Sequence, residues 1–337
     1  MLIKEITGTK PVSGEYLITE NQMRTAKNGS NYLALKIADQ TGEMAAKVWD
    51  ADETLFKRLE VGKIIQLSNI QTKLYKDQIQ LEWVGKDKDV FKVVSDSNAD
   101  YSKFLPRSPG NLAEYWDYIA NVMGEIEEPS LKQILKVFFE NQEFVTLFCK
   151  VPAALKRHHV YLGGLLEHTA GVTRLCQTAA TYYPFVNKDL LLTGAILHDI
   201  GKTRTYEIGT GFGGTDQGKL LGHLVLGVNM VEEAITELFG KRAENTGNSI
   251  LMSLVHLLVS HHGVMEWGSP VEPLTLEACI LHHADNMDAQ IIKFLTVIQN
   301  QSHDNTWAAF DPGLGRSIYL NSLSGKGVKP DEQSEGA

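Results

Sequence analysis

The stretch that decides the fold and chemistry of the second half of this chain is Leu192-Thr193-Gly194-Ala195-Ile196-Leu197-His198-Asp199-Ile200-Gly201-Lys202. An apolar run of helical length ends in an imidazole and a carboxylate. Adjacent residues on a helix point about 100° apart, so His198 and Asp199 do not readily share a proton, but both can turn toward one ion. Imidazole nitrogen and carboxylate oxygen suit Mn, Fe, Zn or Co, and no nearby cysteine offers a thiolate. The stretch therefore predicts a metal site.

Histidine is concentrated in the same half of the chain, because all eleven histidines fall between His158 and His303. Several of them, with two aspartates, stand at or near an end or groove face of separate predicted helices. These residues are His168, His198, Asp199, His223, His261, His262 and Asp285. Helical bundles build dinuclear sites from such inward-facing side chains, and burying so many ionisable rings without metal would leave costly unsatisfied groups. We interpret the remaining histidines as core or surface residues, namely His158, His159, His256, His282, His283 and His303.

Length, composition and charge limit the class of protein. The 337 residues suit two domains. The sequence has no apolar run of bilayer-spanning length and no apolar signal-peptide core, and its three cysteines are scattered, which together predict a reduced, cytoplasmic protein. The net charge of −9 argues against nonspecific binding of nucleic acid by bulk charge. Residues 1–105 carry 15 Lys and Arg against 15 Asp and Glu, so the acidic excess lies in the helical part, which needs metal ions to act on an anion.

Residues 1–88 are predicted to form a small β-barrel. Candidate strands with period-two or β-rich patterns are Gly14–Arg24, Tyr32–Asp39, Glu43–Trp49, Ile64–Lys73 and Gln78–Val84. Asp50 is expected to cap a short helix that ends near Leu59, between the third and fourth strands. Five strands with a helix in that place are typical of an OB-fold, which binds oligonucleotides or oligosaccharides on one face.

One face of this barrel is a candidate surface for single-stranded nucleic acid. Cations and aromatic rings can hold a strand there by backbone charge and base stacking. The candidate residues are Lys36, Lys47, Trp49, Lys73, Tyr75 and Lys76. The alternative interpretation is that Trp49 packs inside the barrel and the lysines form a solvated rim.

Residues 89–110 are predicted to link the two domains, because alternating charges are followed by Pro106-Arg107-Ser108-Pro109-Gly110. Residues 111–320 are predicted to form an all-α bundle. Its expected helices are Leu112–Met123, Pro129–Glu140, Glu143–Cys149, one ending near Thr181, Leu190–Leu197, Leu220–Phe239, Asn248–Ser260, Thr275–Ala284 and Asp285–Asn300. The five-glycine segment Gly209–Gly218 is expected to be a flexible or lid-like loop, and residues 321–337 a disordered tail.

The order of these motifs resembles known metal enzymes. His168, His198-Asp199 with Ile200-Gly201-Lys202, and the distant Asp285 resemble the HD-domain superfamily of metal-dependent phosphohydrolases. Two longer stretches are similar to the YhaM family of 3′-to-5′ exoribonucleases, which joins an N-terminal OB-fold to a C-terminal HD domain. They are His159-Val160-Tyr161-Leu162-Gly163-Gly164-Leu165-Leu166-Glu167-His168-Thr169 and Ser260-His261-His262-Gly263 with Glu266, Gly268-Ser269-Pro270-Val271, Glu277-Ala278 and Ala284-Asp285. The resemblance covers nearly the whole chain. It does not extend to the Gly-Tyr-Pro signature of HD-GYP cyclic-dinucleotide phosphodiesterases, which is absent after His262.

The resemblance implies hydrolysis of phosphodiester bonds with two divalent ions, or three. Mn²⁺ is the first expectation, and Co²⁺, Fe²⁺ or Zn²⁺ are the others. We assign one ion to His168, His198, Asp199 and Asp285. A second ion would share Asp199 and add His223, His261 and His262, although His262 can instead serve a third ion or the substrate.

In the same hypothesis Asp199 and Lys202 are the catalytic residues, with Lys202 supplying charge to the transition-state oxygens. The alternative for Lys202 is an ordinary lysine at a helix end. The implied partner is single-stranded RNA, or also single-stranded DNA, with no membrane and with homo-oligomerisation open. Two other functions remain: a phosphohydrolase acting on small or cyclic nucleotides, and a nonenzymatic nucleic-acid-binding module with a relict site.

Overall fold

The computed structural model describes residues 1–8, 10–75, 78–87, 89–94, 101–155, 159–299 and 306–320. A β-barrel is followed by a helical region, which confirms the predicted fold class. Several sequence-based predictions fall outside the described residues. They concern Lys76, His158, His303 and the predicted tail at 321–337.

The barrel is closed by five strands and extended by a sixth. The strands are β1 (Val12–Thr25), β2 (Asn31–Asp39), β3 (Gly42–Trp49), β4 (Ile64–Tyr75), β5 (Gln78–Val84) and β6 (Phe91–Val93). They follow the order β1-β2-β3-β5-β4-β6, and β4 also pairs with β1 to close the barrel. The pair β3 and β5 is parallel, whereas the other pairs are antiparallel. Alternate residues such as Leu33, Leu35 and Ile37 point inward, which gives one buried core and one outer face.

Two local predictions for the barrel are wrong. The short helix α1 (Glu53–Arg58) is capped by Asp52, whose carboxylate accepts a hydrogen bond from the Leu55 amide at 2.7 Å. Asp50 instead adopts a left-handed conformation with φ of 56°. The strand β6 falls inside the segment 89–110 that was predicted to be a linker, and Phe91 is buried in the barrel core. Three residues are too few to give a period-two signal beside the charges that precede them.

The helical region contains nine α-helices among the described residues. They are α2 (Leu112–Glu125), α3 (Pro129–Phe139), α4 (Gln142–Phe148), α5 (Gly164–Tyr182), α6 (Lys188–Leu197), α7 (Lys202–Thr205), α8 (Asp216–Phe239), α9 (Ser249–Ser260) and α10 (Leu276–Gln299). Every residue of α6 from Leu190 to Leu197 is buried. A helix that is apolar on all sides is stable only when other helices surround it, and α5, α9 and α10 all contact α6. The C-terminal end of α6 therefore lies in the middle of the bundle.

Two helical predictions also differ from the structure. The two helices predicted for Thr275–Ala284 and Asp285–Asn300 form one continuous helix, α10, with Asp285 inside it. The glycine-rich segment is ordered in part as a hairpin of β7 (Tyr206–Ile208) and β8 (Phe212–Gly214), so the second region is not purely α-helical. Asp285 and Asp288, in the middle of α10, belong to interior clusters, so they interrupt the apolar pattern and hide the continuity of the helix in the sequence.

The hydrophobicity of the helices and the state of the cysteines bear on where the chain can reside. In the described part of the chain, no helix has both the length and the hydrophobicity needed to cross a bilayer. Cys149, Cys176 and Cys279 are all free thiols. Burial raises the pKa of the Cys149 thiol to about 11, so this thiol is kept in its unreactive protonated form. Self-association stays a prediction.

Candidate metal centre

Five helices bring the predicted metal ligands into one interior cluster. The cluster is formed by His168 on α5, His198 and Asp199 at the end of α6, His223 on α8, His261 and His262 after α9, and Asp285 on α10. His168, His198, Asp199 and His261 are almost completely buried. Sequence reasoning placed these residues on separate helices, and the structure brings all of them together.

The two carboxylate oxygens of Asp199 face different groups of histidines. Asp199 Oδ2 lies 3.2 Å from His198 Nε2 and 3.3 Å from His168 Nε2. Asp199 Oδ1 lies 3.4 Å from His223 Nε2 and 3.7 Å from His261 Nε2. One carboxylate therefore stands between two sets of nitrogen donors.

Each set is compact enough to surround one ion. In the first group, Asp285 Oδ1 lies 3.1 Å from His168 Nε2 and 4.0 Å from His198 Nε2. In the second group, His262 Nε2 lies 3.2 Å from His223 Nε2. The donor atoms within each group all lie within 4.8 Å of one another.

Hydrogen bonds to the far side of four rings fix how these histidines point. His198 Nδ1 donates to the Ala195 carbonyl at 2.8 Å, and His261 Nδ1 donates to the Leu258 carbonyl at 2.8 Å. His262 Nδ1 donates to the Trp267 carbonyl at 2.7 Å. A carbonyl oxygen can only accept, so each Nδ1 carries a proton and each Nε2 of a neutral ring presents a lone pair. His168 Nδ1 is held in the same way by the carboxylate of Asp288 at 2.7 Å.

This arrangement fits divalent cations. The Nε2 atoms of His168 and His198 lie 3.3 Å apart, about as close as those of His223 and His262, and each is the acceptor end of its ring when that ring is neutral. Among the described residues, Asp199 Oδ1 and His261 Nε2 are buried without a hydrogen-bond partner. Converging lone pairs and unsatisfied buried acceptors are costly unless a cation lies between them. Nitrogen and carboxylate donors match a transition metal such as Mn²⁺, Fe²⁺, Co²⁺ or Zn²⁺.

Burial and charge set the protonation of the cluster. Burial lowers the pKa of His223 to about 3 and holds that of His261 well below its usual value. Burial opposes ionisation of Asp199 and Asp285, but Lys202 for the first and His168 for the second outweigh it and lower both carboxyl pKa values. Burial also opposes protonation of His168, yet its hydrogen bonds to three carboxylates raise its pKa well above the usual value. Anionic carboxylates and the neutral rings of His223 and His261 are therefore already in the forms that bind metal, whereas His168 would reach that form when an ion replaces its Nε2 proton.

Lys202 is the buried cation of the cluster. Its ammonium donates to Asp199 Oδ2, and this attraction outweighs burial and raises the pKa of Lys202. Lys202 begins the four-residue helix α7, and its burial distinguishes it from an ordinary, solvent-exposed lysine at a helix end. It lines a cavity of about 360 Å³ together with Asp199, His223 and Asp285.

Sequence reasoning missed Asp288 and underestimated His159. Asp288 Oδ2 accepts from His168 Nδ1 and from His159 Nε2, the latter at 3.0 Å, and His159 Nδ1 in turn lies 2.7 Å from the Tyr161 hydroxyl. Asp288 follows Asp285 by three residues on α10, which places both on one face of the helix. That spacing was the available signal. His159 is a core residue, as interpreted, but it belongs to the network that holds His168.

Gly201, in the central stretch, permits a close approach of two helices. A Cβ atom at this position would lie 2.0 Å from the His223 carbonyl oxygen and 2.5 Å from the Gly227 amide nitrogen. Both distances are far below van der Waals contact. Gly201 therefore lets α8 come close enough to place His223 beside Asp199.

The predicted barrel residues occupy the outer face, and most of them cluster. The Lys47 ammonium lies 4.3 Å from the ring centre of Tyr75 and 5.8 Å from that of Trp49. Glu82 accepts from Trp49 Nε1 at 3.2 Å and from Lys73 Nζ at 3.3 Å. Trp49 thus lies on the outer face, and the alternative that it packs inside the barrel is wrong. Buried Trp83 occupies the core instead.

Lys36 lies apart from this cluster on the same barrel. Its ammonium pairs with Glu20 at 2.6 Å and lies 3.8 Å from Glu43. The hydrogen bond to Glu20 raises the pKa of Lys36. Two carboxylates therefore already balance the charge that Lys36 could offer to a strand.

Comparison with known proteins shows which proteins this chain is similar to. Residues 165–290 match the HD domain family model. The 3′-5′ exoribonuclease YhaM of Bacillus subtilis is 32% identical over 281 residues, which cover 82% of this chain and 84% of that protein. The 3′-5′ exoribonuclease YhaM of Listeria monocytogenes serotype 4b is 34% identical over 276 residues, with the same shares covered. A solved OB domain from Thermoplasma acidophilum matches 29% of this chain and 88% of that chain at 14% identity, with a TM-score of 0.23.

Proposed function

The chain belongs to the YhaM family of 3′-5′ exoribonucleases, and on that premise we propose that it hydrolyses single-stranded RNA from the 3′ end in a metal-dependent reaction. The observation that carries the proposal is the position of Asp199. One of its oxygens faces His168 and His198, and the other faces the group of His223, His261 and His262. A carboxylate placed in this way is suited to bridge two ions.

Two ions, with Mn²⁺ as the first candidate, would be held by the two groups. His168, His198 and Asp285 would hold one ion, and His223, His261 and His262 the other, with Asp199 shared. Bound divalent ions would lower the pKa of a water molecule and neutralise charge on the phosphoryl oxygens. The placement of His262 beside His223 supports its assignment to the second ion over a role on the substrate.

Lys202 is proposed to be the group of the chain that meets the reacting phosphate. Its ammonium reaches the shared Asp199 and faces the cavity, so it would stand beside an anionic phosphate held there. A preorganised cation in a buried site stabilises developing negative charge more strongly than one in water. Asp199 keeps Lys202 charged and in place until the substrate arrives.

Asp288 is proposed to be a positioning residue, since it acts through His168. By accepting a hydrogen bond from Nδ1, the Asp288 carboxylate keeps Nε2 of His168 turned toward the first group. Carboxylates that hold a ligating imidazole in this way raise its basicity and fix its orientation. His159 holds Asp288 from the other side.

The outer face of the barrel is proposed to hold the RNA strand. Lys47, Trp49 and Tyr75 offer charge and stacking surface together, which supports binding without sequence preference. Activity on single-stranded DNA is part of the same proposal. We also propose a cytoplasmic location, supported by three free cysteines. The proposed domain limits are those predicted from the sequence, 1–88, 89–110, 111–320 and 321–337, except that the barrel extends through β6 to Val93 and the linker begins after it.

The test is degradation of a 5′-labelled single-stranded RNA by the full chain in Mn²⁺. We expect stepwise shortening from the 3′ end, release of nucleoside monophosphates and complete inhibition by a chelator. A DNA oligonucleotide of the same sequence and an RNA blocked at its 3′ terminus serve as matched substrates. Failure to shorten RNA with any of Mn²⁺, Co²⁺, Fe²⁺ or Zn²⁺, or equal cleavage of the blocked RNA, would contradict the proposal.

A further inference from the structure

Trp267 is a large aromatic side chain that stands in the wall of the metal-centre cavity and is 55% exposed. The same cavity is lined by Asp199, Lys202 and His262. An indole is usually covered by other residues, because its apolar surface is large. Leaving one open beside a cluster of charged groups gives the cavity an aromatic surface next to its polar end.

The backbone that carries this indole is fixed to the metal centre. Trp267 ends a short 3₁₀ turn that begins at Met265, and Gly263 and Gly268 flank the turn with φ values of 81° and 92°. The Trp267 carbonyl accepts the hydrogen bond from His262 Nδ1 at 2.7 Å. The backbone of residue 267 is therefore held beside the second histidine group.

A neighbouring histidine supports the indole from the side. The ring centres of Trp267 and His282 lie 6.1 Å apart, and His282 Nδ1 donates to the His261 carbonyl at 2.9 Å. A Cβ atom at Gly263 would lie 2.1 Å from the His282 ring, so only glycine leaves room for this packing. Indole, His282 and the second histidine group form one connected unit.

We propose that the indole of Trp267 stacks on the base of the 3′-terminal nucleotide and so sets that nucleotide's phosphate against the metal centre. This inference rests on the proposed function and names the group that holds its substrate. A cavity of about 360 Å³ is of the size that takes a small ligand such as one nucleotide. Every base has a π-face, so stacking on one indole accepts all four bases, as an exonuclease on mixed sequences requires.

Binding of adenosine 5′-monophosphate to the Mn²⁺-loaded full chain tests the inference without turnover. Ribose 5-phosphate, which lacks the base, is the matched ligand. We expect W267A to weaken binding of the nucleotide roughly 5- to 150-fold, the range that loss of one stacked base gives, and to leave binding of ribose 5-phosphate unchanged. W267F should recover most of the loss, because it restores an aromatic face.

The variants are chosen so that folding and metal content are controlled. The hydrogen bond to His262 comes from the backbone carbonyl of residue 267, so W267A keeps it. W307A is the matched control, since Trp307 is 57% exposed but packs against Tyr319 and does not line the cavity. Metal content of each variant is measured on the same preparation.

Three results would overturn the stacking role. They are equal affinity of W267A and W307A for the nucleotide, equal loss of both ligands in W267A, and no recovery in W267F. Failure of the proposed function looks different. In that case the wild-type chain shortens no RNA, and the nucleotide binding of W267A relative to the wild type still decides whether the indole stacks on a base.

Discussion

The metal centre and the outer face of the barrel use charged side chains in opposite ways. In the centre, Asp199 and Lys202 form a pair that solvent barely reaches, and the surrounding rings are fixed by hydrogen bonds. On the barrel, the Lys36 and Lys73 side chains are 45% and 61% exposed and pair with glutamates. Breaking a buried pair costs about 3–5 kcal/mol, whereas an exposed pair contributes about 0–1 kcal/mol.

This contrast in burial predicts where single substitutions should matter. Each group in the centre holds a neighbour in place, so removal of one group leaves another buried and unpaired. On the barrel face several side chains share one task, and water replaces any one of them at little cost. The expected effects therefore fall steeply from the centre to the barrel.

The largest effect should come from Asp199→Ala, which removes the shared carboxylate. We expect activity to fall by roughly 10³-fold or more, because metal-based charge stabilisation is worth several kcal/mol. The variant should also lose stability, since Lys202 is left buried and unpaired. RNA degradation, metal content and thermal unfolding are measured together.

The double variant D199A/K202A separates these two losses. It should regain stability, because the unpaired cation is gone, but it should stay inactive. Substitution of Asp216, whose side chain is 98% exposed, gives the control D216A. Full activity in D199A would show that Asp199 has no role in the mechanism. It would also contradict the expectation that substitutions in the metal centre have larger effects than those on the barrel.

Lys202→Ala should come next. If the ammonium meets the transition-state oxygens, kcat should fall by about 10²–10³-fold, the scale for removal of one preorganised donor. Metal content should stay unchanged. A purely structural lysine would alter thermal stability and leave kcat near normal, which steady-state kinetics on the metal-loaded variant would reveal.

Asp288→Asn should have an intermediate effect. It keeps the size of the side chain but weakens its hold on His168, so affinity for Mn²⁺ should fall about 10–100-fold. Titration with Mn²⁺ measures this against the exposed control D216N. Unchanged affinity combined with lower stability would show that Asp288 only supports the packing of α5 against α10.

The smallest effect is expected on the barrel, from Glu82→Gln. Loss of this carboxylate frees Lys73 and the Trp49 indole from an acidic partner, so single-stranded RNA should bind a few-fold more tightly. One added phosphate contact would steepen the salt dependence by about 0.7 in logarithmic slope. Fluorescence anisotropy in the presence of chelator measures both, with K73A as the paired variant. No change in either variant would mean that this face does not hold the strand.

Sequence reasoning recovered the elements whose periodicity is long. The five barrel strands were found because inward and outward residues alternate along them. Most helices were found because apolar residues recur at helical spacing. It failed for β6, whose three residues carry no period, and for α10, whose interior Asp285 looked like a boundary. The cap was predicted at Asp50, whereas Asp52 holds that position, because only the backbone conformation shows at which residue the helix begins.

The metal ligands could be expected because histidine and aspartate are rare in helical cores unless they share a task. The groups that orient them left weaker signals. Ala195 and Leu258 act through their carbonyls, which every residue carries, and Asp288 looks like any acidic residue on a helix. Trp267 carries no comparable signal in the sequence, because its exposure beside the metal centre follows from the fold.

The hydrogen bonds from His198 to Ala195 and from His261 to Leu258 also bear on how the enzyme matures. Both carbonyls belong to the last turns of α6 and α9, where a helix has no backbone donors left for them. The hydrogen bond that satisfies each of these helix-end carbonyls thus also orients the imidazole ring. The metal-binding side chains are therefore in place as soon as the bundle folds. Metal can then bind to a preformed site after the chain has folded. Because these rings are aimed before any ion arrives, we expect the choice among divalent metals to depend on which ions surround the folded protein.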